Sequence, residues 1–122
     1  MMEPRLAVLS IWAEDVPMAA HFYRDVLDLT MLPHHGDRPH FSLGGTFLVI
    51  IQGQPLPARN SKPERFPIFA LEVDDLDLRM EKLRAHQVAL PWGIESDPGS
   101  RWAMFYDPAG NLIELVEFAA SK

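Results

Sequence analysis

The feature that most narrows what this chain can fold into is that it repeats itself. Sliding the sequence by 60 positions lays Ile11-Trp12-Ala13-Glu14-Asp15-Val16 on Leu71-Glu72-Val73-Asp74-Asp75-Leu76. In each copy an apolar, strand-like run ends in acidic residues suited to cap a helix. A pattern that recurs at a fixed offset means that one supersecondary plan is built twice.

In the first copy, residues 6–13 read as a strand. Leu6, Val8, Ser10 and Trp12 share one face; Ala7, Leu9, Ile11 and Ala13 share the other. Asp15 is a helix cap, Pro17 suits the first turn, and Ala19, Phe22, Val26 and Leu27 fall on one apolar face. The spacing predicts a helix over about 15–28, with His21 and Arg24 exposed. Residues 30–43 hold a strand, a loop around Gly36-Asp37-Arg38-Pro39 and a second strand. Gly44-Gly45 is a hairpin signal into the β-branched run 46–52. Residues 54–67 contain four of the eleven prolines and read as a linker.

The second copy begins with a strand over 68–73. Asp74-Asp75 opens a helix predicted at 75–86, whose Leu76, Met80 and Leu83 fall at i, i+4 and i+7. A short strand at 88–90, a loop over 91–99 and a final hairpin of 101–106 with 111–118 complete it. The expected fold is α+β: two βαβββ modules, about 5–53 and 66–119, joined by a linker at 54–65 in a single domain spanning 1–122.

With 122 residues, one domain is what the length allows. Eleven basic against seventeen acidic residues disfavour nucleic acid, which needs a basic surface. The same balance suits a cationic ligand, or simply a solvated acidic surface. No apolar run approaches 18 residues and no secretory leader is visible, so no membrane partner is expected and the cytoplasm is the default compartment. The absence of cysteine excludes a disulfide framework and thiolate metal ligands.

Residues 105–118, FYDPAGNLIELVEF, hold the densest signal. Asp107 is placed to accept hydrogen bonds from the turn, Pro108 presets its own φ, and Gly110 can take the positive φ that closes the hairpin. The return strand sets one carboxylate, Glu114, into an apolar run. Ionised carboxylates are rarely buried unless paired. Glu114 therefore faces a cavity, a ligand or a partner charge, or else reaches solvent from a strand edge.

This hairpin resembles the C-terminal hairpin of the vicinal-oxygen-chelate superfamily, which includes glyoxalase I, extradiol dioxygenases, and fosfomycin- and bleomycin-resistance proteins. Residues 14–29, EDVPMAAHFYRDVLDL, are similar to the first helix of the same superfamily, with its FY pair and following V-L-x-L. The resemblance covers almost the whole chain. It implies a curved mixed sheet with four strands from each module, enclosing a cavity. It also implies a homodimer in which each site draws on modules of both subunits.

In the metal-using members, four His, Glu or Gln ligands come from the first and last strands of each module. Carried over, those places fall on Val8, Ile68, Val49 or Ile50, and Glu114. Only Glu114 has a donor side chain, whereas a catalytic divalent ion takes about three protein ligands. No metal and no other cofactor is therefore expected. His34, His35 and His40 cluster on a loop, where a solvated role is favoured over adventitious metal. His86 is expected to be exposed near a helix end, where it favours the dipole.

Alternation from the same four places supplies the candidate ligand-binding residues: Ser10, Trp12, Glu72, Trp102, Met104, Tyr106 and Glu114, with Arg101 near the entrance. Apolar walls with a few placed polar groups describe a small-molecule site, and carboxylates beside indoles suit an aromatic or cationic ligand. The bland alternative is that the aromatics fill a core. No nucleophile constellation and no glycine-rich phosphate loop is present, so no catalytic residue is assigned. A close carboxylate pair would raise one pKa, but spacing does not say whether Glu72 and Glu114 are close. The expected function is metal-independent binding of a small molecule, similar to bleomycin-resistance proteins, with drug sequestration or metabolite carriage as versions. The alternative is an enzyme of the glyoxalase, isomerase or dioxygenase kind; a structural role without ligand stands third.

Overall fold

The repeated sequence folds into two units on one plan. The computed structural model describes residues 2–33, 38–54 and 67–119, and the chain divides into units Met1–Pro55 and Leu56–Lys122. The first holds β1 (Val8–Ala13), α1 (Val16–His21), β2 (Thr30–Leu32), β3 (His40–Leu43) and β4 (Thr46–Gln52). The second holds β5 (Phe69–Glu72), α2 (Leu76–Ala85), β6 (Glu95–Asp97), β7 (Ser100–Tyr106) and β8 (Leu112–Phe118). Their sheets run β1-β4-β3-β2 and β5-β8-β7-β6. In each, the first strand pairs parallel with the last and the other pairs are antiparallel. The architecture is α+β, two tandem βαβββ modules with open mixed sheets. No helix among the described residues is long and apolar enough to cross a membrane.

Both helices start as the acidic pairs predict. Asp15 accepts a hydrogen bond from the Met18 amide at 3.0 Å and Asp75 from the Leu78 amide at 3.1 Å, satisfying an otherwise orphaned N–H in each first turn. The first helix departs from the predicted span. It is α-helical only to His21 and then widens into a π-helical turn, Phe22–Val26, with Leu27 donating to the Phe22 carbonyl at 3.0 Å. Asp28, at a φ of 62°, ends it.

One face of each sheet is buried with its helix. Ile11, Ala13, Phe41, Leu48 and Ile50 are buried along with Phe22, Tyr23 and Val26. The Tyr23 ring lies 5.5 Å from Phe22 and 6.1 Å from Phe41, centroid to centroid. In the second unit Ala103, Phe105, Ile113 and Leu115 are buried along with Leu76, Met80 and Leu83. Truncating large side chains in such packing typically costs about 2–5 kcal/mol each.

Residues 88–90 form no strand, contrary to expectation; that strand is β6, inside the segment read as a loop. Val88 is occupied in finishing the helix, its amide donating to the Leu83 carbonyl at 2.9 Å after Gln87 turns at a φ of 61°. β6 then pairs with β7 across a tight turn, where Asp97 Oδ1 accepts from the Gly99 amide and the Ser100 hydroxyl, both at 2.9 Å.

The β7–β8 hairpin closes as its sequence predicts. The buried Asp107 carboxylate accepts from the amides of Ala109 and Asn111, at 2.9 and 2.8 Å, and from Asn111 Nδ2 at 2.9 Å. Gly110 has a φ of 90°, a conformation that glycine takes without steric cost.

Candidate functional site

Since Cα partners share a face, strand register shows which side chains stand together on the faces away from the helices. In the first unit Val8 pairs with Phe47, Ser10 with Val49 and Trp12 with Ile51. β3 adds His40 beside Val49 and Ser42 beside Phe47. Ser10 and Trp12 are both exposed, Trp12 by 51%. The register separates Val49 from Ile50 by face. Val49, itself buried, stands beside Ser10 on the face away from the helix, while Ile50 is buried on the helix face. The Trp12 indole lies against Gly53, where an added Cβ would fall 2.5 Å from Trp12 Cε3, so this place has room only for hydrogen.

In the second unit Ala70 pairs with Glu114 and Glu114 with Met104, while Glu72 pairs with Val116 and Val116 with Trp102. Tyr106 stands beside Leu112. Glu72, Trp102, Met104, Tyr106 and Glu114 thus occupy one face, as alternation predicts. Glu72 is exposed near the open edge; the other four are half-buried. Ser10 and Trp12 hold the corresponding face of the other unit.

Arg101 is not at an entrance. As the neighbour of Trp102 in β7 it points to the helix side, where its guanidinium donates to both Asp77 oxygens at 2.9 and 3.2 Å and lies 3.6 Å from Glu117. Glu117 in turn accepts the Leu76 amide at 3.0 Å. Arg101 therefore fastens the start of α2.

Two residues join the face that alternation from the family-like positions did not reach. Glu95 of β6 pairs with Trp102, and its Oε1 is fully enclosed with no hydrogen-bond donor among the described residues. Burial, and after it the charge of Glu95, push the Glu114 carboxyl up from its ordinary value. The nearby charge acting on Glu114 thus belongs to Glu95 and not to Glu72. Trp92, in the segment before β6, lies with its ring 6.0 Å from that of Tyr106 at a 54° tilt. The signal for this segment was Asp97-Pro98-Gly99, a turn signature that implies a strand on its near side.

Of the histidine cluster, His34 and His35 lie outside the described residues. His40 has Nδ1 2.6 Å from the Arg38 carbonyl oxygen, and His86 is exposed at the end of α2. Among the described residues no three His, Asp or Glu side chains come together to hold a metal ion.

A family model described as the Glyoxalase/Bleomycin resistance protein/Dioxygenase superfamily matches residues 5–115. The chain belongs to that superfamily. No curated protein matches it significantly. Among solved structures it is similar to TnmS3, an antibiotic binding protein from Streptomyces sp. CB03234, at 27% identity over 98% of this chain and 99% of that one, with a TM-score of 0.73. It shares the fold of a lactoylglutathione lyase from Agrobacterium tumefaciens, at 23% identity over 95% of both chains and a TM-score of 0.72. It also shares that of the fosfomycin resistance protein FosX from Listeria monocytogenes, at 17% identity over 95% and 94%, with a TM-score of 0.75. Of the places to which the resemblance carries the family's metal ligands, Val8, Val49 or Ile50, Ile68 and Glu114, only Glu114 has a donor side chain. One donor does not fit a divalent ion's need for about three.

Proposed function

We propose that this protein binds a small molecule without the help of a metal ion, using the sheet faces that carry Ser10 and Trp12 in one unit and Glu72, Trp102, Met104, Tyr106 and Glu114 in the other. The observation that carries the reading is the second face: aromatic and thioether side chains, half-buried, surround one desolvated carboxylate. Apolar walls with a small number of placed polar groups are what binding sites for small molecules are made of. The likeness to an antibiotic binding protein supports sequestration of a drug-like compound as one version. A second reading, an enzyme of the glyoxalase, isomerase or dioxygenase kind, has one observation in its favour. A carboxyl with a raised pKa beside another carboxylate is an arrangement suited to proton transfer.

Thermal unfolding of the purified chain against a panel of antibiotics and common metabolites tests the reading. A ligand at a hundred times its Kd stabilises the fold by about 2.7 kcal/mol, which raises the Tm measurably. A hit that also quenches tryptophan fluorescence and is recovered unchanged supports binding; a hit converted to product favours the enzyme. A panel that moves neither the Tm nor the fluorescence counts against both.

A further inference from the structure

We propose that Glu95 and Glu114 together receive the N–H donors of an organic cation, with the Trp92–Tyr106 pair supplying an aromatic wall beside them. This rests on the small-molecule reading and adds the ligand's charge and its hydrogen-bonding group. The enclosed Glu95 Oε1 is the starting point. It has no donor among the described residues, and a buried carboxylate oxygen without one is costly. The missing donor is the ligand's.

Register puts the second carboxylate on the same face, on β8 with β7 between it and Glu95. Glu95, Trp102 and Val116 form one row across the sheet, and Met104, Glu114 and Ala70 form the next. The charge of Glu95 is felt at Glu114, whose carboxyl is raised. The Lys, Arg and His residues described in this unit stand on or just after α2, or on the helix side of β7: Arg79, Lys82 and Arg84 on the helix, His86 after it, and Arg101 on the strand. Asp97, at the edge, spends its carboxylate on Gly99 and Ser100. Glu72 adds a further negative charge on the same face.

Such a face repels anions. Among the described residues no three of its carboxylates gather closely enough to hold a metal ion. An ammonium, amidinium or guanidinium group carries several N–H donors on one centre and can satisfy both carboxylates at once. Tyr106 lies one row beyond Glu114, with Trp92 against it. Aromatic faces attract cations through their quadrupole and hold the apolar remainder of such a ligand.

Titration with benzylammonium, benzyl alcohol and benzyltrimethylammonium at neutral pH, followed by calorimetry and tryptophan fluorescence, tests the proposal. Benzylammonium is expected to bind at least tenfold more tightly than its neutral match. Glu95→Gln and Glu114→Gln should each weaken it at least fivefold. Glu81→Gln, which removes the same charge from an exposed place on α2, should leave it unchanged. Equal binding of amine and alcohol, or full affinity in Glu95→Gln, would overturn the cation site while leaving the small-molecule reading intact. Benzyltrimethylammonium binding as tightly as benzylammonium would remove the hydrogen-bonding half of the proposal. Silence from all three probes also overturns it, and the broader reading then stands or falls on the compound panel. If Glu114→Gln does not fold, Glu95→Gln decides alone.

Discussion

Glu114 holds its proton more tightly in the folded chain than in the unfolded one, because burial and Glu95 both oppose its ionisation. Between the ordinary value of 4.5 and the raised folded value, the native state therefore binds more protons than the unfolded state. By linkage, the Glu114 contribution to stability declines as pH rises through that window, and the full cost is present above it. Glu114→Gln should remove this decline, leaving the variant at least as stable as wild type at neutral pH. Urea midpoints measured from just below pH 4.5 to neutrality check it; identical pH profiles for the two proteins would contradict it. A lone carboxylate in an apolar strand was legible as unusual from the sequence. Glu95 was not: the Asp97-Pro98-Gly99 turn marks a strand before it, but that Glu95 stands beside Trp102 follows only from the cross-strand register. Gly53 was equally silent, since its role is to leave space for an indole 41 positions away.

Among the elements, α2 has the clearest tertiary anchor. Its first turn is capped at two amides: Asp75 serves Leu78, and Glu117 reaches across from β8 to serve Leu76. Glu117→Ala leaves the Leu76 amide without its partner and should destabilise the chain by about 1.5–3 kcal/mol, the range for a hydrogen bond to a charged group. Asp77→Ala, which breaks only the exposed pair with Arg101, should cost much less. Chemical denaturation of the two variants checks the order, and equal effects would mean that the ion pair holds the helix as much as the cap does. The Asp15 and Asp75 caps were legible because side-chain capping is local. The length of the first helix was not: Phe22, Tyr23, Val26 and Leu27 are buried in the π-helical turn at spacings that an α-helix would also produce. The strand expected at 88–90 failed for a similar reason, since three apolar-rich residues serve equally well to close a helix.

The tandem plan of the molecule was legible because the repeat spans half the chain and needs no single residue to be right. What covers the first sheet's exposed face was not. Val8, Trp12 and Phe47 stand there 48%, 51% and 41% exposed, and large apolar side chains exposed on one face suit an interface. We expect a second copy to cover it. Light scattering at micromolar concentrations should then return twice the 13.8 kDa chain mass, and Phe47→Glu should return the mass of one chain. A wild type already at that mass would end the expectation. The pairing of Ser10 with Val49 in one unit answers that of Ala70 with Glu114 in the other, and Trp12 answers Glu72 in the offset repeat. A protein assembled from two copies of a single module would have to spell the same residue at both places. Carried in one chain, each half is free to differ from the other, and here one place holds an indole where its counterpart holds a carboxylate.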